Sequence, residues 1–201
     1  MIAIIDYDAG NIKSVEKALI LLKQEVVVTR EKETILSADK IILPGVGAFG
    51  DAMDNLEKYG LVEVIKEAVK RKIPLLGICL GMQILFERSE ETPGKKGLGL
   101  LEGEFLRFPE NNGLKIPHMG WNSLNLHTNR TLFENLPEEP YVYFVHSYYL
   151  KAKDENIVAS SAQYGISFHA SVQKDQIYGC QFHPEKSGDI GIQILRNFVN
   201  L

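Results

Sequence analysis

Two short stretches hold the residue types that perform acyl transfer. The first is Gly77-Ile78-Cys79-Leu80-Gly81, a G-x-S-x-G pattern with a thiol in the serine position. In such an elbow a strand turns sharply into a helix and lifts the nucleophile clear of the backbone. Glycines flank the nucleophile because a Cβ would clash in so tight a turn. A sulfur at a helix N-terminus is favoured as thiolate by the helix dipole. The N–H of Leu80 is expected to be free to face a developing oxyanion. A cysteine nucleophile needs a base, and the base an orienting group. The second stretch, Gln181-Phe182-His183-Pro184-Glu185-Lys186-Ser187, offers both. His183 and Glu185 share one side of an extended segment, and Pro184 holds that segment extended. Glu185 would then fix one tautomer of His183, leaving the other ring nitrogen for Cys79.

Blander readings compete. A cysteine on a core strand is usually inert packing, and Cys180, inside the strand I-Y-G-C-Q-F, reads that way. Zinc deaminases also carry H-x-E, but they need a downstream P-C-x-x-C. None of the 16 residues after Glu185 is cysteine, so no metal is expected. His127 and His169 lie in polar surroundings and read as surface residues.

A third stretch, K-I-I-L-P-G-V-G-A-F-G-D at 40–51, carries G-x-G-x-x-G between a strand and a helix. That is the spacing of a dinucleotide-binding turn, which belongs in the first βα unit with an acid about 20 residues on, at the end of the next strand. Here the loop follows the third strand. Glu63 and Glu67 fall inside a helix, and the next strand, I-P-L-L-G-I-C, ends in Cys79.

The elements that must position these residues alternate in the first half. Strands are expected at Ile2–Tyr7, Glu25–Thr29, Ile41–Leu43 and Ile73–Ile78. Helical spacing appears in Ile12, Val15, Leu19 and Leu22, in Leu61, Val64, Ile65 and Ala68, and over Gly81–Arg88. This predicts a mostly parallel central sheet flanked by helices. From Gly103 the texture changes: 104–108, 141–146, 157–164, 166–173 and 177–182 read as strands of an added antiparallel layer. A last helix places Ile190, Ile194, Phe198 and Leu201 on one stripe. No repeat or linker divides the chain, so 1–201 is expected to form a single domain.

Composition narrows the function classes. A net charge of −4 without a basic run argues against a nucleic-acid partner. No apolar stretch is long enough to span a membrane, and Met1–Gly10 reads as a core strand rather than a signal peptide. Two cysteines make no disulfide framework, which fits a cytoplasmic location.

Taken together, G-I-C-L-G-M-Q and F-H-P-E resemble the triad, or class I, glutamine amidotransferases over nearly the whole chain. Pro44-Gly45-Val46-Gly47, Pro117-His118-Met119-Gly120-Trp121-Asn122 and Tyr143-Phe144-Val145-His146-Ser147-Tyr148 are similar to the glutaminases of the histidine pathway. The resemblance implies hydrolysis of L-glutamine by Cys79, His183 and Glu185 without a cofactor, with oxyanion donors from the N–H groups of Leu80 and, after rearrangement, Val46. It turns the P-G-V-G loop from a pyrophosphate cradle into an oxyanion loop, and the NAD reading falls. It further implies substrate contacts from Gly47, Gln83, Glu91, Ser147 (where the family pattern has Thr) and Tyr148. The implied partner is a (β/α)8-barrel cyclase subunit in a heterodimer, meeting this chain at Asn11, Trp121, Tyr143 and Lys186. That partner would use the ammonia to make imidazole glycerol phosphate and an aminoimidazole carboxamide ribotide. A paralogue feeding ammonia to the amidination of a surface sugar stays open. Other triad amidotransferases fit the finer motifs poorly, and a non-enzymatic scaffold fits an intact triad poorly.

Overall fold

The computed structural model describes residues 1–110, 113–127 and 131–201. The first half is built as β1 (Ile2–Ile5), α1 (Ile12–Leu21), β2 (Val26–Thr29), α2 (Lys32–Leu36), β3 (Lys40–Leu43), α3 (Phe49–Lys58), α4 (Leu61–Lys70), β4 (Leu75–Ile78) and α5 (Leu80–Ile84). The second half holds β5 (Arg88–Ser89), β6 (Gly103–Arg107), β7 (His118–Ser123), β8 (Asn125–Leu126), β9 (Tyr141–His146), β10 (Tyr148–Ala152), β11 (Val158–Tyr164), β12 (Ile166–Lys174), β13 (Ile177–Cys180) and α6 (Gly188–Val199).

The main sheet runs β2-β1-β3-β4-β13-β12-β10-β6-β5. Strands β2, β1, β3, β4 and β13 are parallel, and β12 then runs antiparallel to β13. The expected α/β class is therefore what forms, with two corrections. The strand expected over 177–182 joins the parallel half, pairing Ile177–Cys180 with Leu75–Ile78. The strand expected over 141–146 leaves the main sheet and pairs with β7 in a separate antiparallel ribbon. Continuous apolar runs such as Ile2–Ile5 and Leu75–Ile78 are buried on both faces, as a covered parallel sheet requires. One core, around Ile41, Leu43, Leu56 and Phe86, fills the side of α3, α4 and α5. The other, around Ile42, Leu76, Phe144 and Phe198, fills the side of α1 and α6.

Two helices depart from their spacing. The helix expected over 81–88 stops at Ile84, because the Leu85 carbonyl accepts N–H bonds from Leu100 (2.9 Å) and Leu101 (3.1 Å) and Phe86 turns edge-on to Phe105. The buried stripe of α6 is Gly191, Ile194, Leu195 and Phe198, while Ile190 is half-buried and Leu201 lies beyond the helix. Gly191 is on that stripe because the chain passes close by: a Cβ there would lie 1.8 Å from the Pro184 carbonyl oxygen.

Candidate active site

The C-terminal ends of β1, β3, β4 and β13 converge, which is where open α/β sheets bind ligands. Strand β4 delivers Cys79 at φ 54°, ψ −109°, a left-handed turn that L-residues rarely adopt. This is the elbow, and its backbone is tied down: Cys79 N–H donates to Cys180 O at 2.7 Å, and Gln83 N–H to Cys79 O at 3.1 Å. Gly77 and Gly81 are needed for space. A Cβ on Gly77 would lie 2.7 Å from the Gly81 carbonyl, and one on Gly81 only 1.7 Å from the Leu43 carbonyl. The second clash would fall where β3 hands over to the P-G-V-G loop.

Strand β13 runs on through Gln181 to His183, whose N–H donates to Tyr143 O at 2.9 Å. Ser187 locks the turn by donating its hydroxyl to His183 O at 2.6 Å and accepting from Tyr143 N–H at 3.0 Å. His183 Nδ1 lies 2.7 Å from Glu185 Oε1, and both side chains are completely buried. With Nδ1–H donated to the carboxylate, Nε2 is the free nitrogen, and it makes no hydrogen bond among the described residues. Burial alone would lower the basicity of His183. The Cys79 sulfur and then the Glu185 carboxylate outweigh burial and hold the imidazole up at about 9. Cys180, the other thiol, is buried and pushed up by that burial, as inert core should be.

A cavity of about 350 Å³ opens over Cys79, lined by Val46, Gly47, Leu80, Gln83, Glu91, Pro117, Val145, His146, Ser147 and Tyr148. Every residue read as a substrate contact thus borders the same space. Glu91 is held there by α3, whose first turn has no side-chain cap of its own. Its Oε2 accepts the Phe49 N–H at 2.7 Å, and Thr92 Oγ1 accepts the Gly50 N–H at 3.2 Å. The carboxylate therefore satisfies a helix N-terminus at the cavity wall.

The oxyanion position departs from the expectation. The Leu80 N–H is not free: it donates to Gly45 O at 3.3 Å. Because the peptide is trans and planar, a Gly45 carbonyl aimed at Leu80 aims the Val46 N–H away. The loop's left-handed glycine is Gly47 (φ +112°), whereas Gly45 is small because a Cβ would meet the Tyr7 hydroxyl at 2.3 Å. That buried hydroxyl donates to Pro44 O at 2.6 Å.

Other expectations shift as well. Asn11, read as an interface residue, donates its side-chain amide to Glu185 Oε1 and so touches the buried His183–Glu185 pair. Trp121 is 57% exposed on β7, edge-on to Tyr143 of β9, and Lys186 is exposed at the turn after Glu185. Their strand pairing also exposes Met119 and Tyr141, which sequence reasoning did not single out. His127 is exposed, but His169 is half-buried on β12. His118 and His146 are buried and bonded to each other (3.0 Å), and His146 Nδ1–H donates to Tyr148 O at 2.8 Å. Burial pushes them down to about 4 and about 3, so both are neutral, and they hold the Ser147–Tyr148 wall by tautomer rather than by charge. No His, Cys, Asp and Glu grouping suited to a metal occurs among the described residues.

This arrangement is a cysteine thiol at a strand–helix elbow over a cavity, with a buried His–Glu pair nearby, on a mostly parallel sheet. The same chain matches the family described as Glutamine amidotransferase class-I over residues 3–201. The chain belongs to the class-I glutamine amidotransferases. Among its relatives, "Imidazole glycerol phosphate synthase subunit HisH 1" of Methanococcus maripaludis is 49% identical, covering 100% of both chains. "Imidazole glycerol phosphate synthase subunit HisH" of Bacillus cereus is 54% identical over 98% of this chain and 93% of its own. In fold it is similar to a solved structure described as "Crystal structure of glutamine amidotransferase" (TM-score 0.78, 20% identity, 98% and 97% of the two chains). It is likewise similar to "Structure of PurLQS from Thermotoga maritima" (TM-score 0.76, 22% identity, 99% and 97%).

Proposed function

We propose that this amidotransferase hydrolyses L-glutamine at Cys79 and passes the ammonia to a cyclase subunit of histidine biosynthesis. The observation that carries the chemistry is the elbow cysteine over the cavity, with the imidazole of His183 buried behind it on Glu185. Full-length relatives described as imidazole glycerol phosphate synthase subunits support the pathway and the partner.

In this reading the Cys79 thiolate attacks the side-chain carboxamide carbon of glutamine and the C=O electrons move onto oxygen. As the C–N bond breaks, the leaving nitrogen takes the proton from His183 Nε2 and departs as ammonia. Neutral His183 then removes a proton from water, which attacks the thioester, and glutamate leaves as the sulfur departs. Glu185 and Asn11 hold the imidazole through one carboxylate oxygen. Glu91 faces the substrate ammonium, and the Ser147–Tyr148 backbone its α-carboxylate.

The Gly45 carbonyl directed at the Leu80 N–H supports a resting state short of oxyanion donors. Turning the Gly45–Val46 peptide over would bring in the Val46 N–H and release that of Leu80. One absent donor costs about 10²–10³ in rate, so the isolated chain should be nearly silent. The test is glutamate release with and without the cyclase subunit and its nucleotide ligand, beside Cys79→Ala. Activation that disappears in Cys79→Ala is expected. Equal rates with and without the partner overturn the gated loop, and activity surviving in Cys79→Ala overturns the nucleophile.

A further inference from the structure

Gln181 is completely buried at the end of β13, between Cys180 and Phe182, which are buried as well. An amide in such a place is costly unless its polar atoms are paired. Its backbone N–H belongs to the sheet, donating to Ala170 O at 2.9 Å. Among the described residues its side chain makes two hydrogen-bond contacts, both inside the site: Nε2 lies 3.7 Å from Cys79 Sγ, and Oε1 accepts from Gln83 Nε2 at 3.3 Å. Reversing the amide would turn oxygen lone pairs onto the sulfur and place Nε2 against the Gln83 amide N–H.

That orientation suits one protonation state of the sulfur. As a thiol, Cys79 has the Val145 carbonyl, 3.9 Å away, to donate to. As a thiolate it faces that carbonyl unfavourably and needs donors. We infer that Gln181 is a further catalytic residue, one that donates its side-chain N–H to the Cys79 thiolate and is held in that orientation by Gln83. The inference rests on Cys79 being the nucleophile. His183 and the buried Tyr7 hydroxyl face the sulfur, and Glu91, neutral His146 and Tyr148 line the same cavity, so Gln181 adds a neutral donor that does not compete for the proton. Because Gln83 borders the glutamine cavity, the contact also links the substrate wall to the sulfur.

The experiment compares wild type with Gln181→Met, which keeps length but removes the amide, and Gln181→Glu, which keeps shape but substitutes an acid. Alkylation of Cys79 by iodoacetamide is followed by peptide mapping from pH 6 to 10, beside glutaminase kinetics of the complex with the cyclase. In Gln181→Met, alkylation at pH 7 should fall about three- to tenfold, and the gap to wild type should narrow toward pH 10. The kcat should fall by a similar factor and KM by less, and Gln181→Glu should be slower still at pH 7. Unchanged alkylation at pH 7 in the folded variants overturns the inference. So does lost kcat with an unchanged alkylation profile, which would leave Gln181 merely supporting Gln83. If either variant fails to fold, as judged by its thermal transition, the other carries the test. Should alkylating Cys79 in wild type leave glutamine hydrolysis intact, the nucleophile assignment itself fails, whatever the variants do.

Discussion

At the residue scale the site turns on how buried charges are shared. His183 is the clearest case, because burial and its two neighbours pull in opposite directions and the neighbours win. Its proton-binding midpoint rises from the ordinary 6.5 to about 9. Below pH 6.5 the imidazole is protonated whether or not the chain is folded. Between 6.5 and 9 only the folded chain keeps the proton. The stabilisation from the imidazolium is thus fully present below 6.5 and lost as pH rises through about 9. In the proposed mechanism the same proton leaves with ammonia, so kcat of the activated complex should fall above about pH 9. An NMR titration of the His183 ring checks the cause. In Cys79→Ala the sulfur is gone and the midpoint should move down toward that of an ordinary histidine. An unmoved midpoint would assign the shift to Glu185 alone.

At the element scale the elbow is legible because glycine spacing reports backbone crowding directly. Gly77 and Gly81 announce a turn with no room for Cβ, and the structure gives 2.7 Å and 1.7 Å as the distances such atoms would have. Gly81→Ala must push α5 off the end of β3, against backbone that cannot yield. We expect a loss of at least about 3 kcal/mol in the urea transition, with the glutaminase lost alongside. Gly60→Ala is the control. Its φ of +66° is also left-handed, but nothing lies within 4 Å of the added Cβ. It should cost about 1–2 kcal/mol, the left-handed penalty alone. Equal costs at the two positions would remove the crowding argument. What the sequence conceals is contact between elements distant along it. The Leu80 N–H looks free until β3 delivers the Gly45 carbonyl to it, and Asn11 looks like surface until the β1–α1 loop reaches Glu185. Gln181 reads as one more strand residue because its partners, Gln83 and Cys79, lie on the neighbouring strand and helix. Strand β13 shows the same limit. Its apolar run gives length and burial, but its direction depends on lying beside β4.

At the scale of the whole molecule, the His183 turn and an exposed apolar ribbon belong to the same piece of backbone. Strand β9 holds His183 through the Tyr143 carbonyl and, paired with β7, exposes Met119 (62%), Trp121 (57%) and Tyr141 (55%). Large apolar and aromatic side chains gathered this way have the composition of a protein interface, which supports the proposed docking of the cyclase here. Lys186 and Asn11 lie at the same edge, beside Glu185. A cyclase seated on this ribbon would press on the segment that fixes His183. Trp121 is the natural anchor, having the largest side chain, more than half of it exposed beside the Tyr143 ring. Trp121→Ala should weaken binding of the cyclase subunit by about 2 kcal/mol or more, roughly thirtyfold or more in Kd. Alkylation of Cys79 in the isolated chain should be unchanged, since Trp121 does not border its cavity. Titration calorimetry with the cyclase, paired with that alkylation rate, separates the possibilities. Unchanged affinity would place the partner elsewhere. Lost alkylation in the free chain would mean that Trp121 shapes the site itself, not the interface.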